Sequence, residues 1–198
     1  MKNLKVYKKM LLIVDMENGF VKCGPLHDKK IAEVIPRQIE LIEEYKEKDE
    51  LIVFFRDEHK IDSVEHERFG GVLHCIEGTI ESEIVDELKP YTKDALVFPK
   101  NSTSFMYANG FEKTLDDLEN LERVDVTGCC TDLCIINGVL PMMNKFDQEN
   151  RKIKVYLHED AIDTFDSPMH SREKYSDMAY HLMEQQGAIK VKKLGGNK

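Results

Sequence analysis

The chain has 198 residues, 41% hydrophobic and 33% charged, with a formal net charge of -9. That composition excludes a disordered or fibrous chain, and the length fits one domain over residues 1–198 with a core that needs no staples. The negative charge argues against a nucleic-acid backbone or an anionic membrane surface as partner.

The first apolar run, Met10–Asp15, follows several basic residues but is too short for the core of a signal peptide. No later stretch approaches membrane-spanning length. Further short apolar runs follow at Leu51–Arg56, Ala95–Phe98, Val124–Thr127, Ile153–His158 and Ala188–Leu194. Between them lie stretches that predict helices over Lys29–Lys48, Glu81–Leu88, Phe111–Leu121, Asp132–Phe146 and Pro168–Gln186. In the first, Ile31, Val34, Ile35, Ile39, Ile42 and Tyr45 recur at helical spacing. Strands alternating with helices predict a three-layer α/β/α fold around a six-stranded, mainly parallel sheet. Ser167-Pro168 predicts an N-cap with proline in the first turn, and Gly187 a helix stop. Residues 57–80 carry no regular pattern, and a loop of that length in a compact domain is usually functional. Lys192–Lys198 reads as a frayed tail.

The five cysteines are Cys23, Cys75, Cys129, Cys130 and Cys134. Their odd number and irregular spacing fit no disulfide framework, so a reducing cytoplasm is the expected home. Cys134 lies in Arg123–Asn137, RVDVTGCCTDLCIIN, which predicts a strand, a break at Thr127-Gly128 and a helix from about Asp132. Thr131 or Asp132 would cap that helix, and Cys134 would fall in its first turn, where the helix dipole lowers a thiol pKa. The alternative is a small buried hydrophobe, the usual fate of a free cysteine.

Two other strand ends carry charge: Asp15 ends the first run, and Lys100 follows the third. Singly, an aspartate can terminate a strand and a lysine can sit solvated in a loop. In a parallel sheet, however, all strand C-termini share one edge, so Asp15, Lys100 and Cys134 converge there. A thiol, a carboxylate base and an ammonium in one cleft suit nucleophilic catalysis.

LLIVDMENGF, VFPKNSTSF and VTGCCTDLCI resemble, in order, the three catalytic segments of the isochorismatase-like cysteine hydrolases. The resemblance covers almost the whole chain. It implies a triad of Asp15, Lys100 and Cys134, strand order 3-2-1-4-5-6, and a cis peptide just before Cys130. It also implies an oxyanion hole formed by the backbone N–H groups of Cys130 and Cys134. Cys130 departs from the alanine or other small residue such proteins often have.

The loop RDEHKIDSVEHERFGGVLHCIEGT resembles the metal-binding loop of the nicotinamidase branch. That implies Asp57, His59 and His74 as ligands of one divalent transition metal, zinc before iron or manganese. A fourth ligand would come from Glu65, His66 or Glu67, with Glu65 favoured by its spacing to Phe69. Gly70-Gly71-Val72-Leu73 departs from the more usual proline-rich segment. Phe20 and Tyr107 are candidate ring contacts by their offsets from Asp15 and Lys100. The implied activity is hydrolysis of nicotinamide, a small-molecule substrate. Rivals are another hydrolase of the family acting on an amide, carbamoyl group or vinyl ether, a thiol redox or metal-binding protein, and a catalytically silent scaffold. A homo-oligomer stays open.

Overall fold

The computed structural model describes residues 4–193. Six strands, β1 Lys9–Val14, β2 Leu51–Asp57, β3 Leu96–Lys100, β4 Arg123–Cys129, β5 Lys154–Asp163 and β6 Ile189–Val191, form one sheet in the order β3-β2-β1-β4-β5-β6. Every pairing is parallel, and the order is the expected one. The helices are α1 Asn18–Val21, α2 Ile35–Glu47, α3 Val64–Arg68, α4 Phe111–Asp117, α5 Ile136–Gln148 and α6 Arg172–Gln185.

Side chains alternate across a strand, so each central strand feeds two cores. On β1, Met10, Leu12 and Val14 pack with Phe111, Leu115, Val139, Met142 and Met183 of α4, α5 and α6. Leu11 and Ile13 pack on the opposite face with Leu41, Ile42 and Tyr45 of α2. Burial on both faces is why the strands read as unbroken apolar runs. The first core is tightest around Phe55, which meets Phe105 at 4.8 Å and Phe111 edge-on at 4.7 Å. Truncating such a ring to alanine costs about 3–5 kcal/mol.

Four helix expectations are corrected. The stretch from Lys29 splits into a 3-10 segment, Lys29–Val34, and α2, because Pro36 is accepted only in a helix's first turn. Glu81–Leu88 is not a helix. Its backbone is used elsewhere: Asn18 N–H donates to Glu83 O, Val85 N–H donates to Met16 O, and Ile84 bridges Glu17. Tertiary pairing overrides the local preference there. Ser167-Pro168 forms a turn closed by reciprocal bonds between Ser167 and His170, and α6 is capped by Ser171 instead. The helix from Asp132 begins as a π-helical turn, Thr131–Ile135, before α5. Gly187, at φ +104°, does end α6. Of the expected tail, Leu194–Lys198 lies outside the described residues. Among the described residues, no helix is long and apolar enough to cross a membrane.

Candidate active site

The sheet's C-terminal edge collects the charged strand ends. Asp57 and Lys100 stand directly abreast as the last residues of β2 and β3. Val14 pairs with Gly128 one strand further in, so Asp15 and the Cys129–Cys134 turn emerge side by side. Gly128 is required for this approach. It sits at φ +122°, and a Cβ there would lie 2.1 Å from Val14 O. Asp15 occupies the left-handed region at φ 52°, one of the few non-glycine types that tolerates it. Its N–H donates to Phe55 O, while its carbonyl accepts the Cys129 thiol at 3.0 Å. The peptide bond between Cys129 and Cys130 is cis, as the resemblance implied.

Asp15, Lys100 and Cys134 do meet. Lys100 Nζ lies 2.8 Å from Asp15 Oδ2 and 3.8 Å from Cys134 Sγ, and also bonds Asp57 Oδ1. Cys134 Sγ and one oxygen each of Asp15 and Asp57 lie within 4.8 Å of one another. Such a set could hold a metal, but here the ammonium sits among its members. Burial and the flanking carboxylates push the Cys134 thiol well up. This corrects the expectation of a lowered thiol pKa from the helix dipole: a buried sulfur beside Asp15 resists ionising. Burial also pushes the Asp15 carboxyl up to about 7, against the pull of Lys100. A carboxylate there is basic enough to accept a thiol proton. Burial alone would raise Asp57, but Lys100 and His59 outweigh it and hold its carboxyl low. Lys100 keeps its charge despite burial, since Asp15 and Asp57 face it.

Beside this triad lies a second cluster that shares Asp57. Ligating atoms of Asp57, His59, Glu65 and His74 all fall within 4.8 Å of one another. His59 Nδ1 faces Asn101 Oδ1 at 2.8 Å, an oxygen that also accepts Ser63 Oγ. His74 Nδ1 faces Val72 O at 2.9 Å. Both partners accept, so each imidazole donates from Nδ1 and keeps its Nε2 lone pair free. His59 Nε2 then points at Glu65 Oε2, 3.0 Å away, and Asp57 Oδ2, 3.5 Å away. Neither His59 Nε2 nor Glu65 Oε2 finds a hydrogen-bond partner. A lone pair facing carboxylate oxygens is unfavourable unless a cation or a proton lies between them. Burial alone would lower His59, yet Asp57 outweighs it and draws a proton toward this ring, the position a cation would compete for. Two imidazoles and two carboxylates fit a divalent transition metal. Of the alternatives for the fourth position, Glu65 is the one grouped with the other three; His66 Nε2 lies 3.3 Å from His74 O, and Glu67 is exposed.

Cys134 from the first cluster and Asp57, Glu65 and His74 from the second line one cavity of about 550 Å³, whose walls also include Phe20, Phe69, Cys130, Leu133 and Phe165. Phe20 lines this cavity. Tyr107, the other expected ring contact, does not: it is 79% exposed on the 3-10 turn Phe105–Tyr107. Neither Thr131 nor Asp132 caps the turn that carries Cys134. Asp132 instead accepts from Thr164 and His170.

Sequence reasoning missed two participants, buried Glu17 and exposed Asn101. Glu17 accepts the Asp57 N–H at 2.8 Å, and burial pushes its carboxyl well up. Asn101 sets the His59 tautomer. Its position next to Lys100 was the only available signal.

The isochorismatase domain profile matches residues 9–191. Nicotinamidase 1 of Arabidopsis thaliana is 25% identical over 193 residues, covering 88% of this chain and 77% of that protein. The pyrazinamidase of Pyrococcus horikoshii, solved in complex with zinc, superposes with a TM-score of 0.75 at 27% identity, covering 93% and 99% of the two chains. An N-carbamoylsarcosine amidase from Thermoplasma acidophilum shares the fold, with a TM-score of 0.76 at 22% identity over 96% and 99%. Matched from β1 to β6, with the triad converging at the sheet edge, the chain belongs to the isochorismatase domain family and is a hydrolase.

Proposed function

We propose that this hydrolase is a nicotinamidase, releasing ammonia and nicotinate from nicotinamide. One observation carries the reading. The Asp57, His59, Glu65 and His74 cluster opens into the same cavity as Cys134, so an amide on an aromatic nitrogen heterocycle could be held at both ends. The similarity to a plant nicotinamidase and to a zinc-bound pyrazinamidase supports it.

In this reading Asp15 takes the Cys134 proton as sulfur attacks the amide carbonyl. The backbone N–H groups of Cys130 and Cys134 receive the developing oxyanion, which typically contributes about 3 kcal/mol per donor. Asp15 passes its proton to the departing nitrogen, and ammonia leaves a thioester on Cys134. Asp15 then removes a proton from water, hydroxide attacks the thioester, and the regenerated thiolate recovers that proton. Lys100 stays protonated throughout and balances whichever of Asp15, Asp57 and Cys134 carries negative charge. Phe20 contacts the ring. Asp57, His59, Glu65 and His74 would hold a divalent metal, zinc being favoured by the donor set, and such a metal supplies a Lewis acid for the ring nitrogen or a water upon it. All five cysteines are free thiols, which supports a reducing, cytoplasmic setting.

The test is ammonia release from nicotinamide, with and without chelator, beside benzamide and an N-carbamoyl amino acid. Benzamide has the same ring size without the ring nitrogen. Preference for nicotinamide, weakened by chelator, supports the reading. Preference for the carbamoyl compound moves the protein to another branch of the family.

A further inference from the structure

The connection between β5 and α6, residues 164–171, forms one side of the cavity and has no part in the chemistry above. Phe165 is its inward residue. Its ring lines the substrate cavity with Leu133, Cys130 and Cys134. It also lines a second groove of about 380 Å³, shared with Leu133, Met178 and Leu182. Phe165, Leu133 and Phe69 line both, and so separate the reaction space from a groove on the outer surface.

The ring is held by the nucleophile's own turn. Asp132 lies two residues before Cys134 in the chain. Its Oδ1 accepts from Thr164 Oγ1 at 2.6 Å, and its Oδ2 from His170 Nε2 at 2.7 Å. His170 Nδ1 lies 3.1 Å from Phe165 O, so one imidazole spans the gap between the Asp132 carboxylate and the Phe165 backbone. The same imidazole lies flat against the Phe165 ring, with centroids 3.8 Å apart and planes at 11°. Tyr175 of α6 stacks on its other face at 3.9 Å. The downstream end is also anchored: Arg172 donates to Asp163 Oδ2 at 2.9 Å and to Asp28 Oδ2 at 2.5 Å. Turning the Phe165 ring away requires breaking its stack on His170. Moving its backbone requires breaking bonds to the Asp132 carboxylate, which are charge-assisted and among the stronger kind.

We infer that Phe165 is a specificity-determining residue, a flat wall that selects planar substrates, and that Asp132 and His170 are positioning residues holding this wall in register with Cys134. The inference rests on the cysteine-hydrolase reading of the site and not on nicotinamide as its substrate.

Two thiol reagents separate the wall from the chemistry. The ratio of Cys134 alkylation rates by an N-aryl chloroacetamide and by iodoacetamide is followed by mass spectrometry. Phe165→Ala should lower this ratio about tenfold, since the aryl reagent loses its stacking face. Asp132→Ala and His170→Ala should each lower it roughly threefold or more, and the Asp132→Ala/Phe165→Ala double variant no further than Phe165→Ala alone. If Asp132→Ala does not fold, Thr164→Val removes a single donor and should move the ratio the same way. For nicotinamide, the positioning variants should raise KM more than they lower kcat. An unchanged ratio in Phe165→Ala overturns the wall. Equal slowing of both reagents in the positioning variants, or additive effects in the double variant, overturns the positioning role. A wild type inert toward nicotinamide, with the ratios still shifting, would sink the proposed substrate and leave this inference standing.

Discussion

Strand β4 runs between two buried charge clusters built on opposite principles. Along its length, Asp125 is surrounded by donors: Arg123 Nη2 at 2.6 Å, His158 Nε2 at 2.5 Å, and the Tyr45 hydroxyl. Both of its oxygens are used, and His158 Nδ1 is the one side-chain atom of that group without a partner. Beyond the end of the strand, the hydrolase site pairs Asp15 Oδ2 with Lys100 but leaves Asp15 Oδ1, Glu17 Oε2, His59 Nε2 and Glu65 Oε2 without hydrogen bonds. A buried polar network that closes on itself rigidifies a fold, whereas each unpartnered buried group costs about 1–3 kcal/mol. The closed cluster suits a structural role. The open one is arranged for something that arrives: a substrate, a water, an ion.

The sharpest way to break this comparison is at Cys134. Cys134→Ala should lower turnover by roughly four orders of magnitude or more while leaving the thermal midpoint nearly unchanged. Steady-state assays beside a thermal melt measure both. Wild-type turnover in that variant would remove Cys134 from the mechanism.

Lys100→Met should act on both scales. It removes the one cation between Asp15 and Asp57, so turnover should drop about a thousandfold and stability by about 3 kcal/mol. Asp15→Asn should be similarly inactive, and the double variant little worse than either single one. Simple multiplication of the two losses would argue against one catalytic unit.

His74→Ala should reduce copurifying metal at least about tenfold, and Glu65→Ala by less, read by elemental analysis. Wild-type metal content in His74→Ala would take the ion elsewhere.

The smallest effect on catalysis is expected at the closed cluster. Asp125→Asn should leave kcat within about twofold and lower stability by roughly 2 kcal/mol at neutral pH. Burial alone would raise the Asp125 carboxyl, but His158, Arg123 and Tyr45 outweigh it and bring it down to about 2 from an ordinary value of 3.8. A folded-state pKa below the unfolded one means this stabilisation is present above pH 3.8 and lost as pH falls toward 2. Urea midpoints between pH 6 and 3 should therefore fall more steeply in wild type than in Asp125→Asn. Parallel slopes would show that Asp125 is not the group responsible.

Much of this molecule is determined by local sequence. Six apolar runs separated by helical periodicity are enough for a parallel sheet, because strands buried on both faces need continuous hydrophobic residues. Polar residues at the ends of three runs, Asp15, Lys100 and Cys134, are then brought to one edge by topology alone. Asp57-x-His59 puts two side chains of metal-ligating type near each other, because i and i+2 point the same way on extended backbone. The rest depends on contacts between segments distant in the chain. Glu81–Leu88 has the pattern of a helix but spends its backbone on the loop after β1. Asp132 has the chemistry of a cap, yet its carboxylate is claimed by Thr164 and His170, more than thirty positions further along the chain. Tyr107 sits at a plausible offset and faces solvent, because the turn carrying it directs Phe105 into the core instead. The thiol's acidity was misjudged from the helix terminus alone, since burial beside Asp15 is a tertiary fact. Backbone periodicity is encoded within a few residues. The direction of a side chain, its solvation and the identity of its partner are decided only when the layers close.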